Sequence, residues 1–150
     1  MINNVISVVV WSMMGMVLTE TIGYFWHRFI QHEGWFGNTI WYRHWQHHEV
    51  DYPTKSLRPP DTTYVSARQW DWYVVAAIVA AVLFIVCPLG IAVPMIAGAA
   101  IYAWCIVDYF HRVFHMHNHP FYIYRWFQEL SKMHDIHHYK RVNFGIVFFL

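Results

Sequence analysis

A chain of 150 residues that is 57% apolar and 20% aromatic has room for one domain, here read as residues 1–150, and is too hydrophobic to be disordered. Charged residues make up 13%, about half the usual quarter, and 10 Lys+Arg nearly balance 9 Asp+Glu. Such a balance excludes the strongly basic surface expected of a nucleic-acid binder. Cys87 and Cys105 both lie in apolar runs and read as packing residues, while histidine, with 12 copies, is the residue in excess.

The first predicted element is Val5 to Ile22, 18 mostly Val, Met, Leu and Ile residues, long enough for a transmembrane helix. No basic residue precedes it and no small-residue cleavage site follows, so it reads as a retained span. Met13, Met14 and Met16 within it read as packing against helices or lipid. Glu20 is costly to bury there alone and is expected to be paired or functional. Residues 49–71, with Pro53 and Pro59-Pro60, form a polar connection in which a long helix is disfavoured.

Trp72 to Val107 holds no charged residue over 36 positions. One continuous helix would be roughly 54 Å long against a hydrocarbon core of about 30 Å. The break at Cys87-Pro88-Leu89-Gly90 predicts two helices of about 17 residues each, turning at Pro88–Gly90. A hairpin returns the chain to the side it left, and all 10 basic residues fall in 23–71 and 108–150. The positive-inside rule then puts both segments in the cytoplasm and the N-terminus on the opposite side. Residues 121–130, FYIYRWFQEL, have the aromatic and charged composition of an interfacial helix. The expected fold is an all-α integral membrane protein with three to four transmembrane helices.

Ten of the 12 histidines fall in four boxes: His27 and His32 in HRFIQH; His44, His47 and His48 in HWQHH; His111 and His115 in HRVFH; His134, His137 and His138 in HDIHH. Random placement would yield roughly 0.08 copies of H-x2-H-H in such a chain, so two copies are a signal. On an α-helix the three histidines of H-x2-H-H share a face, as do the two of H-x3-H. The H-x4-H pair diverges by about 140°, so His27 and His32 serve different metals or need a local break between them. Trp, Phe, Ile and Tyr interrupt the boxes, unlike a low-complexity metal-scavenging tract. Neutral imidazole suits iron, zinc, copper and nickel, and ten ligands are enough for two ions. Asp108 and Asp135 stand beside boxed histidines and are candidates to accept a ligand's second ring proton, the alternative for each being a solvated charge at a helix end. His117 and His119 belong to no box and read as interfacial surface residues, with a late extra ligand or a shifted third-box partner the alternative for His117.

The boxes HRFIQH, HWQHH, HRVFH and HDIHH, with the flanking VDYFHRVFH and MHDIHHYKRVNFG, resemble the membrane-bound fatty acid hydroxylase superfamily. That superfamily includes sterol desaturases and carotenoid ring hydroxylases. The resemblance covers about residues 20–146 and implies a cytoplasmic His-ligated dimetal centre that oxidises an unactivated lipid C–H bond with dioxygen and two electrons. Such chemistry needs a redox metal, hence two Fe ions, with zinc able to occupy the site on isolation. With no Gly-rich dinucleotide fingerprint, electrons are expected from a separate ferredoxin or cytochrome b5-type donor. The third box has the spacing of fatty acid hydroxylases, whereas the small size and the short gap between the first two boxes resemble the carotenoid enzymes. A fatty acyl chain, a sterol or a carotenoid is the expected membrane lipid substrate, a carotenoid beta-ring hydroxylase or a lipid desaturase the alternative enzyme. A membrane metal-binding or transport protein is the alternative outside enzymes; it would place ligands within the spans, where only Glu20 fits.

Overall fold

The computed structural model describes residues 2–53, 70–116 and 118–145. Most of the polar connection, His117 and residues 146–150 lie outside them. Helix α1, Ile2–Phe25, runs without interruption into a π-helical stretch, Trp26–His32. After a short turn closed by Gly37 N–H donating to Gly34 O, α2, Asn38–Gln46, follows and continues as a second π-helical stretch, His47–Asp51. Helix α3 is Trp70–Val86, and α4, Leu89–Ile101, follows it directly. A third π-helical stretch, Tyr102–Val107, joins α4 to α5, Asp108–Phe114. A 3-10 turn, Pro120–Ile123, leads to α6, Arg125–Lys140. The described residues contain no strand.

Among the described residues, two helices are long and apolar enough to cross a membrane, Asn4–His32 and Leu89–Phe114. Only 11% and 22% of their most apolar windows are buried, unlike the core helix of a soluble protein. Val8, Met13, Met14 and Val17 on α1 are exposed, which suits a lipid-facing surface. The hairpin is asymmetric, contrary to two limbs of about 17 residues. Its first limb has 17 residues, but the second continues for 26. Pro88 ends the first limb at the expected place, with extended ψ of 148°. Beyond it Pro94 removes one backbone donor near the start of α4, and nothing else breaks the helix before Phe114. Helix α3, 17 residues among those described, is a shorter apolar helix beside two long ones.

Helices α1 and α4 pack along each other at backbone contact. A Cβ at Gly15 would overlap the Met95 carbonyl, and one at Gly98 would overlap that of Ser12. Small residues at such crossings let two helices approach where lipid supplies no hydrophobic drive. Leu83, Ala92 and Met95 form the core near the hairpin, with Trp11, Leu18 and Ile96 packed on it. A second core, Val113, Phe114 and Phe127, lies under the histidines. The stretch 121–130 is not a single interfacial helix. It divides between the 3-10 turn and the start of α6, with Ile123, Tyr124 and Trp126 exposed and Phe127 fully buried.

Candidate metal centre

The four boxes lie on helices, with His115 of the third at the C-cap of α5, and the structure brings them together at one end of the α1/α4 pair. His27, His32, His44, His48 and His137 present ring nitrogens within 4.8 Å of one another, and His47, His111, His115 and His138 do the same. His134 joins the second group, its Nε2 3.1 Å from that of His115. The sorting has an internal symmetry. Each group takes one spaced pair, the i,i+4 pair of one triplet, and the middle histidine of the other triplet. His44 and His48 enter the first group while His47 enters the second; His134 and His138 enter the second while His137 enters the first.

The π-helical stretch at 26–32 resolves the H-x4-H spacing. A ladder of i→i+5 hydrogen bonds sets residues five apart over one another, so His27 and His32 reach the same group with ring centroids 4.9 Å apart. Asp71, 1% exposed in the first turn of α3, fixes this stretch at both ends. It accepts from Trp26 Nε1 at 2.7 Å and from Gln31 Nε2 at 3.2 Å, both at Oδ2.

The first group has the donor chemistry of a cation site. His44 Nε2 lies 2.9 Å from His27 Nε2, 2.9 Å from His32 Nε2 and 3.0 Å from His48 Nε2. His137 Nε2 is 3.2 Å from His48 Nε2 and 3.3 Å from His32 Nε2. Each such nitrogen carries one hydrogen or one lone pair, so one atom cannot serve three neighbours and most of these contacts cannot be hydrogen bonds. A positive ion at their centre would satisfy all of them. Backbone carbonyls already orient two rings. Nδ1–H of His27 donates to Phe144 O at 2.6 Å and Nδ1–H of His137 to Val142 O at 2.8 Å, which leaves each neutral ring's Nε2 as a lone pair. In the second group, both ring nitrogens of buried His47 have no hydrogen-bond partner among the described residues. A bound ion is one of the standard explanations for such groups.

Burial keeps the imidazoles neutral and therefore able to bind metal. Desolvation, then the field of neighbouring rings, holds His44, His47, His48, His134 and His137 well below the ordinary histidine range. Tyr52, which sequence reasoning did not single out, stacks on His115 at 3.8 Å and meets His47 edge-on at 5.2 Å. His119 stands outside both groups and accepts the Phe121 N–H, capping the 3-10 turn. Asp135 is exposed on α6, and Asp108 is half-buried.

An apolar cavity of about 480 Å³ runs between α1, α3 and α4. His27, His44 and His111 lie on its wall at one end, so both groups border it, and Leu18, Leu83 and Ile96 lie toward the other. Glu20 and Asp108 are among its few polar lining residues. Glu20 is paired as the sequence requires, accepting from Tyr102 Oη at 2.6 Å.

Neither a curated protein nor a solved structure gives a match to this chain. A family model does, that of the fatty acid hydroxylases, over residues 12–150. That span takes in all four boxes and both long apolar helices from residue 12 onward, and the chain belongs to the fatty acid hydroxylase family.

Proposed function

We propose that the protein is a membrane-bound, dioxygen-dependent lipid hydroxylase whose ten boxed histidines hold two iron ions, five to each. The observation that carries this reading is the convergence of two buried imidazole groups on the end of one apolar cavity. Iron at these positions would supply the redox chemistry that C–H oxidation by dioxygen requires. His27 and His137 direct lone pairs inward because Phe144 O and Val142 O hold their ring protons. The cavity wall, mostly aliphatic and aromatic side chains, would bind an alkyl or isoprenoid chain, exclude water around it and set which carbon faces His27, His44 and His111. Asp108, on that wall about one helical turn before His111, would in this reading orient a ligand or a bound chain.

The substrate in this reading is a membrane lipid of the fatty acyl, sterol or carotenoid kind. Electrons come from a separate ferredoxin or cytochrome b5-type protein. The gathering of the basic residues around the histidine boxes supports a cytoplasmic metal end.

The test is metal content in protein purified in mild detergent without oxygen. We expect about two irons per chain, falling to about one in a His44→Ala/His137→Ala variant, since both residues serve the first group. His137→Ala should abolish lipid hydroxylation while His119→Ala keeps most of it. Well-folded protein that binds no metal, or equal loss in the two single variants, would overturn the assignment.

A further inference from the structure

The carboxyl group of Glu20 has a place in the cavity that metal binding does not explain. Its side chain is 8% exposed, inside a span where an ionisable group is expensive and is a functional-site candidate by default. Tyr102, 3% exposed on the facing helix, donates to Oε1. A carboxyl group has about four acceptor sites, and Glu20 has no other hydrogen-bond partner among the described residues. It stands on the cavity wall beside Ile22, Ala99 and Ala100, with the rest of its hydrogen-bonding capacity available to whatever fills that space. The helix crossing does not need this bond, because Gly15 and Gly98 already set the approach of α1 and α4.

The geometry points to Glu20, backed by Tyr102, as a polar subsite for an alcohol group on the lipid bound in the cavity, some distance from the carbon presented to the histidines. This rests on the reading of the cavity as a lipid site. Seven residues separate Glu20 from His27, about 10 Å along a helix, which sets the approximate spacing between the alcohol and the oxidised carbon. A hydroxyl fits because it donates to a carboxylate and accepts from a carboxylic acid, so it pairs with Glu20 in either form. A lipid carboxylate pairs only with the protonated form and is repelled by the ionised one, whereas a hydroxyl pairs with both, and a plain hydrocarbon end would leave the polar atoms unpartnered. The subsite therefore selects long-chain or polycyclic alcohols and disfavours a free fatty acid entering head-first.

Quenching of Trp72, on the cavity wall, reads occupancy without turnover. The metal-loaded full chain in detergent is titrated with 11-bromoundecan-1-ol, 1-bromoundecane and 11-bromoundecanoic acid, and the Trp72→Phe variant identifies the cavity signal. Taking micelle partition from the quenching of tryptophan octyl ester in the same detergent, we expect the alcohol to quench at concentrations at least fivefold lower than the alkane or the acid. That preference should vanish in Glu20→Leu and survive in part in Glu20→Gln, which keeps a hydrogen-bonding group and is the informative variant if the leucine protein does not fold. Unchanged preference in both variants, or an acid as effective as the alcohol, overturns the subsite while leaving the hydroxylase reading intact. If no probe quenches Trp72, the lipid cavity itself is wrong and the subsite falls with it.

Discussion

Arg141 and Asn143 have positive φ, 52° and 58°, a region that L-residues other than glycine enter at a cost of about 1–2 kcal/mol and that asparagine tolerates best. Between and beside them, Val142 O and Phe144 O receive the ring protons of His137 and His27, so this bend fixes two tautomers of the first group. Asn143→Gly should leave iron content unchanged. Asn143→Val, β-branched and averse to this conformation, should lower the thermal midpoint and reduce iron to between one and two per chain. Iron content in the valine variant equal to that of the parent would show that the carbonyls do not matter. The sequence directs attention to Asp108 and Asp135 as proton acceptors because carboxylates have side chains that can be read. A carbonyl acceptor carries no side-chain signature; only the asparagine in RVNFG hints at the bend that delivers it. Tyr52 escaped for a similar reason, since its stacking on His115 depends on a fold that joins residues 63 apart in sequence.

The helices show a comparable division between what spacing reveals and what it conceals. Four boxes, their face-sharing triplets and the misfit of H-x4-H follow from 100° per residue, and the structure meets that misfit with a π-helical stretch. Spacing does not say how the extra residue is absorbed, because the stretch is held from outside by Asp71 on α3. The long second limb is hidden for another reason: Asp108 ends the apolar run but not the helix, which continues through the third box to its C-cap at His115. Asp71→Ala would strand the buried Gln31 amide, at about 1–3 kcal/mol if no water replaces the acceptor, and the part-buried Trp26 N–H, at less. The expected result is selective: iron falls from about two per chain toward one, because only the first group depends on this stretch. Equal depletion of the two groups, resolved by combining Asp71→Ala with His111→Ala, would mean that Asp71 supports the fold in general and not the first box.

The molecule as a whole places a metal centre by crossing two long helices. His27 and His32 ride on the extension of α1, and His111 and His115 on the extension of α4, so the α1/α4 crossing sets how far apart the two spaced pairs stand. That crossing is controlled at Gly15 and Gly98, more than ten residues from the nearest boxed histidine on each helix. Gly98→Leu must push α4 away from the Ser12 backbone, which cannot yield as a flexible side chain would. The cost is about 1–3 kcal/mol or more, and the displacement is carried along stiff helices to both histidine groups. Iron should therefore be lost from both groups together, with a lower thermal midpoint in detergent. This differs from the one-group loss expected of Asp71→Ala. Gly90→Ala is the matched control, because a Cβ there meets nothing within 4 Å, and it should keep both irons. If Gly98→Leu folds and retains two irons, the crossing does not set the metal spacing, and the amphipathic α2 and α6 must hold the two groups in register by themselves.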